Sequence, residues 1–281
     1  MIKVLVTGGN GQLGQCLQDM AKHQKELEFD FQDLPSLDIT DSSQVELYFS
    51  KNQFDYCINC AAYTAVDLAE TQSELAYAVN AKGVKILAQL CHHHQVILIH
   101  ISTDFVFDGQ KRTPYSETDA PNPLGVYGSS KLQGEQHIQE IINQYFIIRT
   151  SWLYSEYGNN FLTTMLKYSE TMDEIRVVSD QTGSPTYARD LAENLIKLIL
   201  CSSTNYGVYH YSNSGAISWY DFAVEIFKQF GKKTYVKPIK TKDYPTAAKR
   251  PEYSVLDTKK IESEFQITTS FWKNRLKTIA P

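Results

Sequence analysis

Apolar residues recur along this chain in two periods, short β-branched runs and longer helical stretches, and the two alternate over the first 150 residues. Val4 to Val6 opens the series with a strand that breaks into the glycines of VLVTGGNGQLG (4–14) before a helical pattern begins. Phe29 to Gln32 reads as a second strand and Tyr56 to Asn59 as a third. Val96 to Ile101, VILIHI, is apolar almost throughout, as a parallel strand covered on both faces must be. Asp41, with Gln44 three residues on, resembles a capping box and starts a helix to about Lys51. Leu75, Val79, Val84, Leu87 and Leu90 give a stretch from Ser73 to about His93 one apolar helical face. A turn-rich segment, Phe105 to Asn122, leads to a helix from about Leu124, and Phe146 to Arg149 is the next strand. Strands alternating with helices predict an α/β fold built on a Rossmann-type doubly wound parallel sheet.

After Arg149 the alternation loosens. Helices at about 159–170, 188–201 and 218–230 and short strands near 175–178, 207–211 and 234–238 predict a smaller mixed α/β C-terminal lobe. Residues 1–150, with 174–213 interleaved, then form a dinucleotide-binding domain, and 151–173 with 214–281 form a substrate-binding lobe. No low-complexity linker separates them, so the lobe packs on the sheet and leaves a cleft as the default ligand site.

The chemistry gathers at strand ends. Gly8, Gly11 and Gly14 sit between a strand and a helix, an order that turns the free N–H groups of the helix start toward a phosphate. Asp33, 19 residues beyond Gly14, and Asp38, before the next helix, both stand where an acid could hold a ribose hydroxyl. Either could equally cap a turn. Ala61-Ala62-Tyr63-Thr64 follows the third strand, and its small residues let the chain pass close to a nucleotide. Asn80, alone among apolar helical positions, either serves a site or bonds to nearby backbone. Ser102-Thr103-Asp104 ends the central strand, where open α/β sheets bind ligands. Tyr127 and Lys131 form the one YxxxK pair of the chain, and their i, i+4 spacing puts both on one helix face.

Composition narrows the partners. A chain of 281 residues, 42% hydrophobic, can bury a large core, and it holds no apolar run of membrane-spanning length. With a net charge of −5 and scattered Lys and Arg, neither nucleic acid nor an anionic membrane is an expected partner. The chain starts directly in a fold strand, and a cytoplasmic protein is the expectation. Five cysteines make a disulfide framework improbable. Cys57 and Cys60 lie in a buried strand without a second pair, and His92, His93 and His94 point in different directions at a solvated helix end. No metal site is expected.

TGGNGQLG, ISTDFVFDG and VYGSSK together resemble the extended short-chain dehydrogenase/reductases. NCAAYTAVDLAE (59–70), IIRTSWLY (147–154), YGNNF (157–161), VVSDQTGSPTYARDL (177–191) and AKRPEYSVLDTKKI (248–261) extend the likeness over almost the whole chain, toward members that reduce nucleotide-linked keto sugars. The resemblance implies NADPH or NADH as cofactor and a small-molecule substrate, a dTDP-4-dehydro-6-deoxy sugar. The implied reaction is reduction of the C4 keto group of dTDP-4-dehydro-L-rhamnose. Another 4-ketoreductase, giving 6-deoxy-L-talose, and a non-catalytic nucleotide-binding regulatory subunit are the alternatives.

The resemblance also implies the roles. Thr103, Tyr127 and Lys131 form the catalytic set, Tyr127 donating a proton and Lys131 favouring its phenolate. Thr103, Asp104 and Trp152 contact substrate. Gly8, Asn10, Gly11, Gln12, Leu13, Gly14, Asp38, Ile39, Ala61, Ala62, Tyr63 and Thr64, with Tyr127 and Lys131, contact cofactor. Phe105 replaces the second member of the acid pair used by related dehydratases, which favours simple reduction. Gln15 stands where some relatives carry an acid for a metal at a dimer contact, so neither that metal nor a dimer depending on it is expected, although a homodimer of another kind stays open. Tyr253 departs from an asparagine common in the C-terminal signature and marks a changed sugar contact as an alternative.

Overall fold

A computed structural model describes residues 1–279. Strands β1 (Ile2–Thr7), β2 (Leu27–Gln32), β3 (Tyr56–Asn59), β4 (Ile97–Thr103) and β5 (Tyr145–Thr150) join the strand Gly207–His210 in one sheet. All its pairings are parallel, and its order is Gly207–His210, β5, β4, β3, β1, β2. The strand order therefore reverses between β1 and β3. Such a switch point opens a crevice beyond the carboxyl ends of the strands.

The near-continuous apolar strands are explained by helices on both faces. Val4 and Val6 pack beneath helix α1 (Gln12–Ala21) and the helix Ala188–Leu200, while Leu5 meets the helices Ser42–Lys51, Val84–His94 and Val126–Ile141 on the other face. His92, His93 and His94 are exposed at the end of their helix, and all five cysteines are free thiols.

Two local expectations are modified. The helix begun at Ser73 runs as Ser73–Tyr77, passes through a π-helical turn at Ala78–Gly83, and resumes as Val84–His94. The wide turn contains Asn80, fully buried, whose carboxamide accepts from Tyr63 N and donates to Tyr63 O and Ser130 Oγ at 2.9–3.0 Å. Asp41 does cap its helix through Ser43 N and Gln44 N, but the Gln44 side chain turns away to accept from the backbone of Asp38.

The C-terminal lobe packs the helices Phe161–Tyr168, Trp219–Gln229 and Trp272–Ile279 around Tyr154 and Phe222. The strand Glu174–Val178 pairs in parallel with Tyr235–Ile239, a partner inside the lobe. The segment interleaved into the sheet therefore begins beyond 178 rather than at 174. Its helix Ala188–Leu200 packs on the α1 face and Gly207–His210 extends the sheet beside β5.

One buried ion pair docks the helix Val126–Ile141 on the sheet. Arg149 of β5 donates through Nε and Nη2 to both carboxylate oxygens of Glu135, the shortest bond being 2.6 Å, and Ser102 of β4 donates to the same carboxylate. Glu135 and Arg149 are 1% and 4% exposed. Glu135→Ala strands a buried guanidinium and is expected to lower unfolding free energy by about 3–5 kcal/mol in urea denaturation. A loss below about 1 kcal/mol would mean that the helix is held by other contacts.

Candidate active site

The crevice between β1 and β3 is built by absence of side chains. Gly8 leaves β1 with φ +69°, and a Cβ there would stand 2.5 Å from Ala61 N, so the exits of the two strands touch. Gly11 caps α1 without a side-chain acceptor, and a Cβ on it would meet only Gly8 O at 3.3 Å. The first-turn N–H groups of α1 thus have no side-chain cap, and the loop above them is open. That arrangement fits the diphosphate of a dinucleotide. Asn10 and Gly11 are exposed on this loop, Gln12 is half-buried, and Gly14 is buried beneath it. Leu13 lies in the core, so only its backbone N–H faces a ligand.

Each acid left open by the sequence has a distinct task. Asp33 accepts from Asn10 N at 2.9 Å and Leu34 N at 2.8 Å, bracing the glycine loop from the end of β2. Asp38 accepts from the N–H and hydroxyl of Thr40 and braces its own turn. Ile39 is a core residue packed against Gly83, again leaving backbone rather than side chain to a ligand. Across the crevice, Ala61, Ala62 and Tyr63 are half-buried and Thr64 is exposed, with Tyr63 pinned by Asn80.

Beyond β4 the reactive side chains converge. Thr103 donates to Asp104 Oδ1 and accepts from Phe105 N, both at 3.1 Å. The Tyr127 hydroxyl lies beside that threonine. Burial pushes the phenol up to about 12, the Thr103 hydrogen bond opposes the rise, and the charge of Asp104 adds to it. Tyr127 is therefore a neutral acid near neutral pH.

Lys131, one turn further along the helix and 2% exposed, donates from Nζ to Ile101 O at 2.6 Å and sits 3.2 Å from His100 Nε2. Burial pushes it down to about 8 against the raising effects of Glu135 and Cys60. In the protein alone, burial is the largest effect on Tyr127, and the lysine is tied to β4.

Asp104 is 2% exposed and is pushed up to about 6 by burial, with Ser254 and Thr103 pulling the other way. Its Oδ2 has no hydrogen-bond partner among the described residues. A cleft of about 680 Å³ opens on the lobe and reaches Phe105, lined also by Trp152, Tyr168, Trp219, Arg250 and Ser254 among others. Phe105 packs edge-on to Tyr127, which joins the cleft wall to the reactive cluster. Trp152 holds a left-handed backbone, φ +46°, and its indole stacks on Trp219 with ring centroids 3.4 Å apart. Arg250 clamps Asp67 with bonds of 2.7 and 3.1 Å, tying the C-terminal segment to the loop beyond β3. Tyr253 bridges to Thr182 and packs against Val106 and its neighbours.

Trp219, His100, Glu135 and Arg149 were not singled out by the sequence patterns. His100 carried the clearest signal, a lone ring nitrogen pair in an apolar strand. Among the described residues no group of three His, Cys, Asp or Glu side chains is placed to hold a metal ion, and Gln15 donates to Asn10 O at 2.7 Å.

Comparison with known proteins agrees with this geometry. The family model described as RmlD substrate binding domain matches residues 2–280. The chain belongs to that family. It is 42% identical to the dTDP-4-dehydrorhamnose reductase of Aggregatibacter actinomycetemcomitans, with 99% of this chain and 98% of that protein covered. It is also 42% identical to the spore coat polysaccharide biosynthesis protein SpsK of Bacillus subtilis, over 99% of this chain and 96% of the other. The crystal structure of dTDP-4-dehydrorhamnose reductase from Bacillus anthracis in complex with NADP superposes with a TM-score of 0.95 at 41% identity, covering 99% of both chains. Family membership accounts for the shared crevice, lobe and cleft together.

The raised Asp104 carboxyl has a stability consequence with a definite sign. The folded state holds this proton between about pH 4 and 6 while the unfolded chain releases it, so this group makes stability fall as pH rises through that window. Asp104→Asn removes the fall. In urea unfolding at pH 4 and 7, the variant is expected to gain about 2–3 kcal/mol over wild type at the higher pH relative to the lower. An unchanged difference between the two proteins would show that Asp104 titrates normally.

Proposed function

We propose that this protein reduces the C4 keto group of dTDP-4-dehydro-L-rhamnose to dTDP-L-rhamnose with NADPH or NADH. One observation carries the reading: a neutral, half-buried Tyr127 stands beside Thr103 at the carboxyl end of β4, between a diphosphate-ready crevice and the cleft of the lobe. The names of the relatives support the substrate, and the NADP in the Bacillus anthracis structure supports the cofactor class. A deoxysugar product also suits the polysaccharide role printed in the name of the Bacillus subtilis relative.

The nicotinamide coenzyme supplies the hydride. The chain supplies its position and the proton. The backbone N–H groups of Gln12 and Leu13, which have no acceptor inside the protein, would hold the diphosphate at the start of α1, on a loop that Asn10 N and Gly11 N brace through Asp33 and Gly8 O, while Asp38, Ile39 and Ala61 to Thr64 flank the crevice. Thr103 directs its hydroxyl at the carbonyl oxygen of the sugar, and Tyr127 gives that oxygen its proton as negative charge develops there. Lys131, as the ammonium, offsets the charge left on the phenolate and holds the nicotinamide ribose. Asp104 and Trp152 orient the sugar ring. Phe105, following Asp104, offers no second acid for dehydration, so the hydroxyl formed at C4 is the end of the reaction.

The test combines product and variant. Incubation with the dTDP-4-dehydro sugar, its 3,5-epimerase and each coenzyme is expected to yield dTDP-L-rhamnose by NMR. Tyr127→Phe is expected to fold with an unchanged circular-dichroism spectrum and lose at least about 10³-fold in kcat. A talose-configured product would overturn the stereochemical assignment, and near-normal turnover in the variant would overturn the proton donor.

A further inference from the structure

A line of buried polar groups leads from Lys131 back into the sheet. The Thr7 hydroxyl donates to Asn59 Oδ1 at 2.7 Å, Asn59 Nδ2 meets His100 Nδ1 at 3.0 Å, and His100 Nε2 meets Lys131 Nζ at 3.2 Å. Thr7, Asn59 and His100 are each at most 1% exposed, and they come from the three adjacent strands β1, β3 and β4.

The directions of these bonds follow from chemistry. Ala61 N–H, which can only donate, also points at Asn59 Oδ1, at 3.2 Å. That fixes the carboxamide, so its Nδ2–H is the group facing His100 Nδ1. His100 must accept there. Burial and then the charge of Lys131 hold the ring neutral, far below the ordinary histidine range. A neutral ring that accepts at Nδ1 carries its hydrogen on Nε2, and that hydrogen points at Lys131. An ammonium has three donors and no lone pair, so it cannot receive it. A neutral amine can, while still donating to Ile101 O.

We propose that His100 is a positioning residue for Lys131: oriented by Asn59, it donates Nε2–H to the neutral lysine, and protonation of the lysine breaks this contact and frees the ammonium for the cofactor and Tyr127. The inference rests on the reductase reading of the site for its kinetic consequence, but not for its geometry. The titratable or charged groups around Lys131 are His100 from β4, Cys60 beyond β3, and Tyr127 and Glu135 one turn to either side on its own helix. Glu135 and Cys60 favour the ammonium. Burial and the His100 hydrogen favour the amine.

Two measurements on the intact protein test this. The first is the tautomer, read by long-range proton–nitrogen NMR with 15N-labelled histidine, His100 being assigned by the signal lost in His100→Gln. The expected result is a neutral ring protonated at Nε2 from pH 6 to 9, with an Nε2 resonance that moves near pH 8 and stays still in Lys131→Met. A ring protonated at Nδ1, a charged ring, or an Nε2 signal insensitive to pH would overturn the proposal. Because this reading needs no turnover, it stands or falls separately from the reductase assignment.

The second is the alkaline limb of kcat/KM, which reports loss of the Lys131 ammonium. Removing the donor that favours the amine raises the lysine, so in His100→Phe the limb is expected to move up by about one pH unit, worth about tenfold in relative rate above it. His100→Gln, which restores an N–H near Nε2, is expected to bring the limb back. A uniform fall in rate with a stationary limb would reduce His100 to a packing residue and overturn the proposal.

Discussion

Close docking of the helix Val126–Ile141 on β4 and β5 is the constraint on which the site depends. On its other side the helix meets the π turn Ala78–Gly83 too closely for a side chain at Gly134, whose Cβ would stand 2.2 Å from Asn80 O. Glu135 then reaches Arg149 and Ser102, and Lys131 reaches Ile101 O. Asn80 closes the same contact from the other side, binding both the loop beyond β3 and Ser130 of the helix. The loop beyond β3, the helix that carries Tyr127 and Lys131, and the central strand are thereby tied together. Positioning of that kind is where much of an enzyme's rate enhancement arises.

The same burial sets the acid–base state of the cluster. Removal from water disfavours charge, so it raises Tyr127 and Asp104 and lowers Lys131 and His100. The phenol is kept as a donor, the lysine comes within reach of deprotonation, and the histidine stays neutral. These are opposite displacements with one cause. Of the four, Asp104 at about 6 and Lys131 at about 8 come within reach of neutral pH.

The alternation of β-branched runs and amphipathic stretches made the sheet legible, because strands buried on both faces leave no choice of residue type. The glycine turn and the Tyr127–Lys131 spacing were legible for a similar reason: each encodes a backbone or helical geometry that is local. His100, Arg149 and Glu135 were not, since their meaning lies in contacts across 14 to 41 positions of sequence. The π turn at Ala78–Gly83 shifts the helical phase, so the one apolar face expected from Leu75 to Leu90 does not form: Leu75 is 49% exposed while Val84 and Leu87 are in the core. The displaced lobe boundary has the same origin: only strand pairing, a non-local fact, separates Glu174–Val178 from the sheet that follows it. Asp33 and Asp38 remained rivals because two acids near one loop differ only in which N–H groups they meet.

Trp152, where the chain leaves β5 for the lobe, stacks on Trp219 at the start of a lobe helix and forms part of the cleft wall. Under the proposed reaction, a substrate in the cleft reaches Tyr127 past Phe105 and is otherwise held by the lobe. The proposed reaction delivers hydride and proton to one carbonyl at this junction. Coenzyme deuterated at nicotinamide C4 tests it most directly, with the sugar product examined by proton NMR. Deuterium bound to C4 of dTDP-L-rhamnose and no label elsewhere is the expected result; label at another carbon, or a C4 hydrogen drawn from solvent, would contradict the proposed reaction.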